Sequence, residues 1–332
     1  MKVAIVGLPS SGKTTLFSAL TGIESTAGRK DNVGMIKVPD KRIDDLSGIF
    51  IPKKTIYAEI RFEDFGQLNS ENFEKIRHCD KLIFVIDNFS KNSPLIDLKN
   101  LELEFNLIDL GLIEKRILRL KKEDPKAKEI NFLNKINDFI ENGKRFIDES
   151  FDQEELKWIE FYKFFTFKPV LVVTNSSEDK LSAEYKLPDD FTAYCAKQSF
   201  DFINLCSSLE KEISQLPDEE QKEFLRDYNL EKSAKDYVII KSYKALGLQS
   251  FFTVGEDEVR AWTIVKNTNA KTAAGKIHSD LERGFIRAEV IAYETFMLFK
   301  DLVKAKSAGK LRVEGKDYIV QDGDILNIRF NV

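Results

Sequence analysis

Lys2-Val3-Ala4-Ile5-Val6 runs directly into Gly7-Leu8-Pro9-Ser10-Ser11-Gly12-Lys13-Thr14, and this stretch decides the fold. A short β-branched apolar run enters a glycine-bounded loop, and Leu16, Phe17 and Leu20 then recur at helical spacing, so the order is strand, loop, helix. The octapeptide satisfies G-x-x-x-x-G-K-[ST] in the setting where that pattern has a mechanical meaning. Its glycines let the backbone turn several N–H groups inward, and the following helix adds the positive end of its dipole. Gly7 through Thr15 are therefore expected to cradle a nucleoside triphosphate, with Lys13 reaching the β- and γ-phosphates and Thr14 ligating Mg²⁺.

The rest of the composition leaves room for this reading. The chain has 332 residues, enough for two or three domains, and is 42% apolar with 26 Phe, ample for buried cores. Lys and Arg number 51 against 55 Asp and Glu, a net charge of −4, so an RNA partner would need a local basic face. Cys79, Cys195 and Cys206 fit neither a disulfide framework nor a zinc site, which suits a reducing cytosol. The opening strand is too short and wrongly flanked for a signal peptide, and no apolar run approaches the ~20 residues of a membrane span. A cytoplasmic protein is expected.

Further along, residues 55–65 alternate as a half-buried strand (Ile56, Ala58, Ile60, Phe62). Lys81 to Asp87 and Val170 to Thr174 are near-continuous apolar runs, as strands covered on both faces should be. Such strands separated by helical stretches predict a mostly parallel, doubly wound α/β sheet. Between them, Leu101, Leu103, Phe105, Leu107, Leu110, Ile113, Ile117 and Leu120 lie in a charged background that ends at Asp124-Pro125. Ile130, Leu133, Ile136 and Ile140 follow at helical spacing, which predicts an antiparallel helical hairpin. After Gly247, short strands (Phe251 to Val254, Ala261 to Ile264, Ile319 to Val320, Ile325 to Phe330) surround one helix, a compact α+β module.

Taken together, these stretches resemble one family. GLPSSGKTTLFSALTG (residues 7–22) is similar to the start of an Obg-like GTPase of the translation-factor class, and VPDKRIDDLSGIFIPKKT (38–55) to the segment that follows in the YchF/Obg-like ATPase branch. The likeness continues through residues 106–122, 168–179, 246–264, 273–290 and 314–332, nearly the whole chain in order. It implies a GTPase-type P-loop domain over residues 1–98 and 166–246, a coiled-coil hairpin over 99–165, and a β-grasp domain of the TGS type over 247–332.

Base recognition departs from the common GTPase pattern. Where most GTPases carry Asn-Lys-x-Asp, whose Asp accepts hydrogen bonds from guanine, this chain has Asn175-Ser176-Ser177-Glu178. Loss of a well-placed guanine acceptor removes discrimination worth about 2–4 kcal/mol. Asn175 can instead meet purine N7 and an adenine 6-amino group, and the resembled family, which favours ATP, has the same N-x-x-E pattern; alternatively Asn175 and Glu178 cap a turn. Cys195-Ala196-Lys197 stands where the family has a Ser-Ala-Lys loop near the base.

The switch regions match less well. Between Gly22 and Val33, Thr26 is the one threonine available as a first-switch ligand. In Phe62-Glu63-Asp64-Phe65-Gly66-Gln67, spacing from Gly66 leaves Glu63 and Asp64 both open as the carboxylate facing Mg²⁺, with Asp64 slightly favoured for its length. Gln67 follows Gly66 as the water-orienting Gln of Ras-like GTPases does, and is either that residue or an exposed loop side chain. Ser10 replaces the Asn of potassium-activated relatives, so no K⁺ stimulation is expected. Asp87 resembles a Walker-B Asp but reads as a turn cap, and His78 and His278 as structural or surface residues. Lys115 to Lys122, with Lys144 and Arg145, form either a solvated face or a contact for RNA phosphates. The expected function is an ATP-binding, slowly hydrolysing, Mg²⁺-dependent switch acting with the ribosome or its RNA, against a GTPase or a non-hydrolysing scaffold.

Overall fold

The computed structural model describes residues 1–24, 32–90, 92–143, 149–182, 184–227 and 233–331, so Thr26, Lys144 and Arg145 lie outside the described residues. Two compact units divide the chain, residues 1–34 with 61–237 and residues 35–60 with 238–332. In chain order, β1 (Lys2–Val6), α1 (Lys13–Thr21), β2 (Asn32–Lys37), α2 (Lys41–Phe50) and β3 (Lys54–Ile56) come first. Then follow β4 (Glu59–Asp64), α3 (Ser70–Arg77), β5 (Lys81–Asn88), α4 (Pro94–Glu123), α5 (Lys128–Glu141) and α6 (Gln153–Tyr162). β6 (Val170–Ser176), α7 (Asp189–Lys197), β7 (Asp201–Leu205), α8 (Ser207–Gln215), α9 (Asp218–Asp227) and α10 (Ala234–Ala245) come next. The chain closes with β8 (Leu248–Thr253), β9 (Glu258–Val265), α11 (Ala270–Ile277), α12 (Ser279–Arg283), β10 (Phe285–Ala292), α13 (Tyr293–Phe299), α14 (Leu302–Ser307), β11 (Arg312–Glu314) and β12 (Asp324–Phe330).

The first sheet has the order β2-β4-β1-β5-β6-β7, and β4, β1, β5, β6 and β7 run parallel to one another. Every residue of β5 is buried, as is β6 from Leu171 on, the consequence of helices covering both faces. Because parallel strands share one direction, the loops leaving β1, β4, β5, β6 and β7 emerge at one edge, where this fold places its ligands.

α4 is one continuous helix of 30 residues with two packing duties. Leu98, Leu101 and Phe105 join the sheet core, whereas Ile113 and Leu120 form a second core with Ile130, Leu133, Ile136 and Ile140 of α5 and Tyr162 and Phe164 at and beyond the end of α6. The predicted hairpin is thus α4 and α5, joined at Asp124-Pro125, with α6 as a third helix the periodicity did not reveal. Leu103 and Leu107 belonged to the predicted apolar stripe, yet they are 54% and 56% exposed. They lie off the i, i+4 row of Leu101, Phe105, Asp109 and Ile113. Asp109 in that row is fully buried; it pairs with Arg77 at 3.3 Å and accepts from the Thr166 N–H at 2.9 Å, which answers the cost of burying its charge.

The second unit holds a sheet of order β11-β10-β12-β8-β9-β3. Without β3 this is the β-grasp order: two antiparallel hairpin strands, a helix, and later strands that place β12 parallel beside β8. Phe251, Ile264, Ala270, Ala273, Ala288, Val290 and Leu326 form its core. Where one helix was expected after Gly247 there are four, α11 to α14, and β10, the central antiparallel partner of β11 and β12, was missed. The predicted strand over residues 55–65 is two strands in two sheets. Lys54–Ile56 pairs in parallel with Glu258–Arg260, while β4 lies beside β1. Residues 35–60 fall in the unit of 238–332 rather than staying with 1–98, because α2 and β3 pack on its sheet: Phe50 stacks on Phe296 and Arg42 binds Asp322 at 3.1 Å. Among the described residues no helix is long and apolar enough to cross a membrane.

Candidate nucleotide-binding site

The loop between β1 and α1 has the cradle geometry that its glycines anticipate. Gly12 sits at φ 89°, and a Cβ there would lie 2.1 Å from Asn175 Nδ2, so this position excludes every side chain. A Cβ at Gly7 would stand 2.5 Å from the Val85 carbonyl oxygen of the neighbouring strand. Ser10 is also left-handed, at φ 64°, and the Ser11 N–H closes the turn on the Leu8 carbonyl at 3.3 Å. Lys13 curls over the loop and donates to the same Leu8 carbonyl at 3.1 Å. Burial pulls its ammonium below the ordinary lysine range, and Asp64 partly opposes this.

Behind the loop lies an open cleft of about 610 Å³. It is lined by Ser10, Gly12, Lys13, Thr14 and Thr15 of the loop and α1, and by Phe89, Asn175, Ser176, Ser177, Glu178, Cys206 and Ser208 from the carboxyl ends of β5, β6 and β7. Gly7, Leu8, Pro9 and Ser11 complete the loop from behind without lining the cleft. Thr14 Oγ1 donates to Asp64 Oδ2 at 2.9 Å, so the two expected metal ligands face each other. Asp64 is 1% exposed, and its other oxygen accepts from the Gly66 N–H at 3.1 Å. Glu63 points to the opposite side of the strand, against Arg61 at 2.5 Å. A hydroxyl and a carboxylate are the hard oxygen donors Mg²⁺ takes when substrate phosphates supply the rest of its shell. No group of three or more His, Cys, Asp and Glu able to hold a metal occurs among the described residues.

Asn175 is anchored at both ends of its amide: Nδ2 donates to the Ser11 carbonyl at 3.0 Å and Oδ1 accepts from the Ser207 N–H at 2.9 Å. One N–H and one lone pair remain for a base. Glu178 is exposed at the start of a single 3₁₀ turn, Glu178–Leu181, and lines the cleft.

Two expected groups are not brought to the cleft. Cys195 is fully buried in the sheet core, and Ala196 and Lys197 end α7, one strand too early. The loop that reaches the base end follows β7, where Cys206 and Ser208 stand. Gln67 is also displaced: Gly66 turns the chain at φ 67°, Asn72 Nδ2 fixes the Gln67 carbonyl at 2.8 Å, and the exposed side chain does not line the cleft. Replacing Gln67 with leucine is therefore expected to leave kcat within about twofold, because an exposed side chain away from the reacting atoms carries little transition-state energy. A drop of tenfold or more in single-turnover hydrolysis would restore it as the water-orienting residue.

Asp87 is a turn cap that accepts from the Phe89 N–H at 2.9 Å and the Ser90 N–H at 3.0 Å. Asp87→Ala should cost about 1 kcal/mol in urea denaturation, as lost caps do. His78, beside Glu74, and His278, which caps α12, are both on the surface. Phe89 and Asn32 escaped the sequence reading. Phe89 is a 46% exposed ring on the cleft wall, and Asn32 donates to Asp64 Oδ2 at 3.3 Å. Phe89 carried a faint signal, an aromatic directly after a buried strand that ends at the ligand edge; Asn32 carried none.

The chain resembles known proteins in both sequence and fold. A family profile described as 50S ribosome-binding GTPase matches residues 2–135, and the profile of the C-terminal domain of YchF GTPases, described as a protein of unknown function, matches residues 248–331. The chain is 39% identical over 361 residues to the ribosome-binding ATPase YchF of Haemophilus influenzae, covering 100% of this chain and 99% of that protein. Against the protein of the same name from Bacillus subtilis it is 37% identical over 364 residues, with 100% of each chain covered. The structure of the Schizosaccharomyces pombe YchF GTPase superposes with a TM-score of 0.89 at 26% identity, covering 99% of this chain and 97% of that one.

Proposed function

The chain belongs to the YchF family, and from that premise we propose that it is a cytoplasmic, Mg²⁺-dependent ATPase of low intrinsic rate that binds ATP in preference to GTP and acts on the ribosome. The observation that carries the nucleotide half is the Lys13–Thr14–Asp64 constellation at the mouth of a glycine cradle. In this reading the loop amides and Lys13 neutralise the triphosphate, and Thr14 and Asp64 would hold the magnesium ion bound with it. The metal supplies charge neutralisation of the transferred phosphoryl group.

The preference for adenine rests on the base end. Asn175 keeps one donor and one acceptor for N7 and the 6-amino group, as adenine requires. The carboxylate that would read guanine is a longer side chain on an exposed 3₁₀ turn, a poor platform for the desolvated pair that gives such sites their discrimination. Phe89 offers a face for the purine. The low rate is supported by the place of Gln67, whose exposed side chain does not line the cleft. Thr15, Cys206 and Ser208 complete the walls.

Calorimetric titration with ATP and GTP in excess Mg²⁺ tests the base preference, and tighter binding of GTP would overturn it. Phosphate release no faster than from a Lys13→Ala control would leave a nucleotide-binding scaffold instead of a hydrolase. The ribosome is proposed from the relatives' names, and co-sedimentation with ribosomes in the ATP- and ADP-bound states tests it; absence from the pellet in both states would remove the ribosome as partner.

A further inference from the structure

At the base end of the cleft, four residues that the nucleotide chemistry does not use form a closed ring of hydrogen bonds. Asn88 Nδ2 donates to Ser176 Oγ at 2.7 Å, and Ser176 Oγ donates to Asn204 Oδ1 at 2.5 Å. Asn204 Nδ2 donates to the Lys180 carbonyl at 2.9 Å, and Lys180 Nζ donates to the Asn88 carbonyl at 2.6 Å. The Ser176 hydroxyl and the Asn204 amide each accept one of these bonds and donate the next, so polarisation runs from Asn88 Nδ2 to the Lys180 carbonyl, and the Lys180 ammonium closes the circuit as a tether to the Asn88 backbone. Strand register assembles it. Asn88 lies opposite Ser176, and Asn204 opposite Thr174, so all four point to one face at the carboxyl edge of β5, β6 and β7. Asn88 and Ser176 are 3% and 2% exposed, and Thr174 Oγ1 and the Tyr185 hydroxyl add further bonds to Asn204 and Asn88.

The ring joins the two lining segments that follow β5 and β6. Asn88 immediately precedes Phe89; Ser176 lies between Asn175 and Ser177, two residues before Glu178; Lys180 belongs to the same 3₁₀ turn as Glu178. Ser176 also stands at the position where the common guanine-reading motif has its lysine. Here that side chain is turned into the ring, and the nearest lysine, Lys180, spends its ammonium on the Asn88 carbonyl.

We infer that the Asn88–Ser176–Asn204–Lys180 ring is the element that positions the base-reading walls, with Asn204 and Lys180 as positioning residues for nucleobase affinity. The inference rests on the nucleotide-binding reading of this cleft and adds to it Asn88, Asn204 and Lys180, none of which lines the cleft. Since the ring touches only the base end, breaking it must weaken whatever the base contributes and leave the phosphate cradle as it was.

Calorimetry on the full chain with Mg²⁺ and either ATP or inorganic tripolyphosphate separates these contributions. In Lys180→Met, which keeps a chain of similar length and removes the ammonium, and in Asn204→Leu, the ATP dissociation constant should rise about tenfold while that of tripolyphosphate changes less than about twofold. Asn204→Gln, able to remake the donor and acceptor, should recover part of the loss. Asn204→Leu also removes hydrogen bonds to Thr174, Ser176 and the Lys180 carbonyl, so Lys180→Met carries the decision, with thermal melting as a check that it stays folded. Unchanged ATP affinity in folded Lys180→Met, or equal loss for both ligands, overturns the positioning role. If the unaltered protein binds ATP no more tightly than tripolyphosphate, the base site itself fails, and the ring's role with it.

Discussion

Lys13→Ala should lower affinity for Mg-ATP by about 100-fold and reduce phosphate release to background, since a charge-assisted contact to phosphate is worth about 1.5–3 kcal/mol before any transition-state contribution. The reason is local. Lys13 leaves the cradle at the start of α1, is already drawn over it by the Leu8 carbonyl, and is desolvated there. Its depressed pKa gives the prediction a pH dependence with a definite sign. Only the protonated amine binds phosphate, so triphosphate affinity should fall as pH rises into the alkaline range, beginning below the ordinary lysine value of 10.5. The variant should show no such fall from this group. Titration with tripolyphosphate at several pH values checks it without interference from the base. An affinity unchanged by the substitution would mean that the triphosphate does not lie along this loop.

The cradle was legible because every part of it is contiguous: strand, loop, lysine, threonine and helix occupy residues 2 to 21, and the motif specifies its own geometry. The placement of Asn175 near the end of β6 and of Glu178 just beyond it was legible for a similar reason, since the burial of that strand is written in Val170 to Thr174. What failed depended on register between distant segments. Cys195-Ala196-Lys197 matched a familiar tripeptide, but only the loop after β7 reaches the cleft edge, and β7 (Asp201–Leu205) is too mixed in character to announce itself as a strand. Phe89 and Asn88 gain their roles from lying beside β6, which nothing in residues 81–89 records.

The helical insertion and the C-terminal unit show the same limit. The periodicity of α4 located its buried row, but two cores share that row, and Leu103 and Leu107, two positions off it, are exposed rather than apolar partners. The alternation over residues 55–65 was real; each half is a strand. A period of two cannot say which sheet a strand joins, and Tyr57 and Ala58 mark the break between them. Residues 35–60 were assigned to the P-loop domain by proximity in sequence, whereas Phe50, Arg42 and Lys54–Ile56 find their partners more than 200 residues later. Periodicity and the family resemblance both led to three modules, whereas tertiary pairing divides the chain into two compact units.

The pair Glu63 and Asp64 is where sequence spacing gave two answers and geometry separates them. Neighbours on a strand point to opposite faces, so only one carboxylate can look at the phosphate loop. Asp64 accepts from Thr14 and from Gly66, while Glu63 is committed to Arg61. Asp64→Asn keeps the shape and can still accept from the Gly66 N–H, but removes the charge that would hold the metal. Hydrolysis in saturating Mg²⁺ should therefore fall by about 100-fold or more, the scale on which a single electrostatic contact to a developing charge acts. The Mg²⁺ concentration for half-maximal activity should rise as well. Glu63→Gln has the opposite signature: hydrolysis within about threefold of the unaltered protein, with a stability loss of about 1–3 kcal/mol from the weakened pair with Arg61. Phosphate release across a Mg²⁺ titration, beside urea denaturation of both variants, makes the comparison. If Glu63→Gln suffers the larger catalytic loss and Asp64→Asn only the stability loss, the metal lies on the other face of β4 and the facing pair of Thr14 and Asp64 is a structural contact alone.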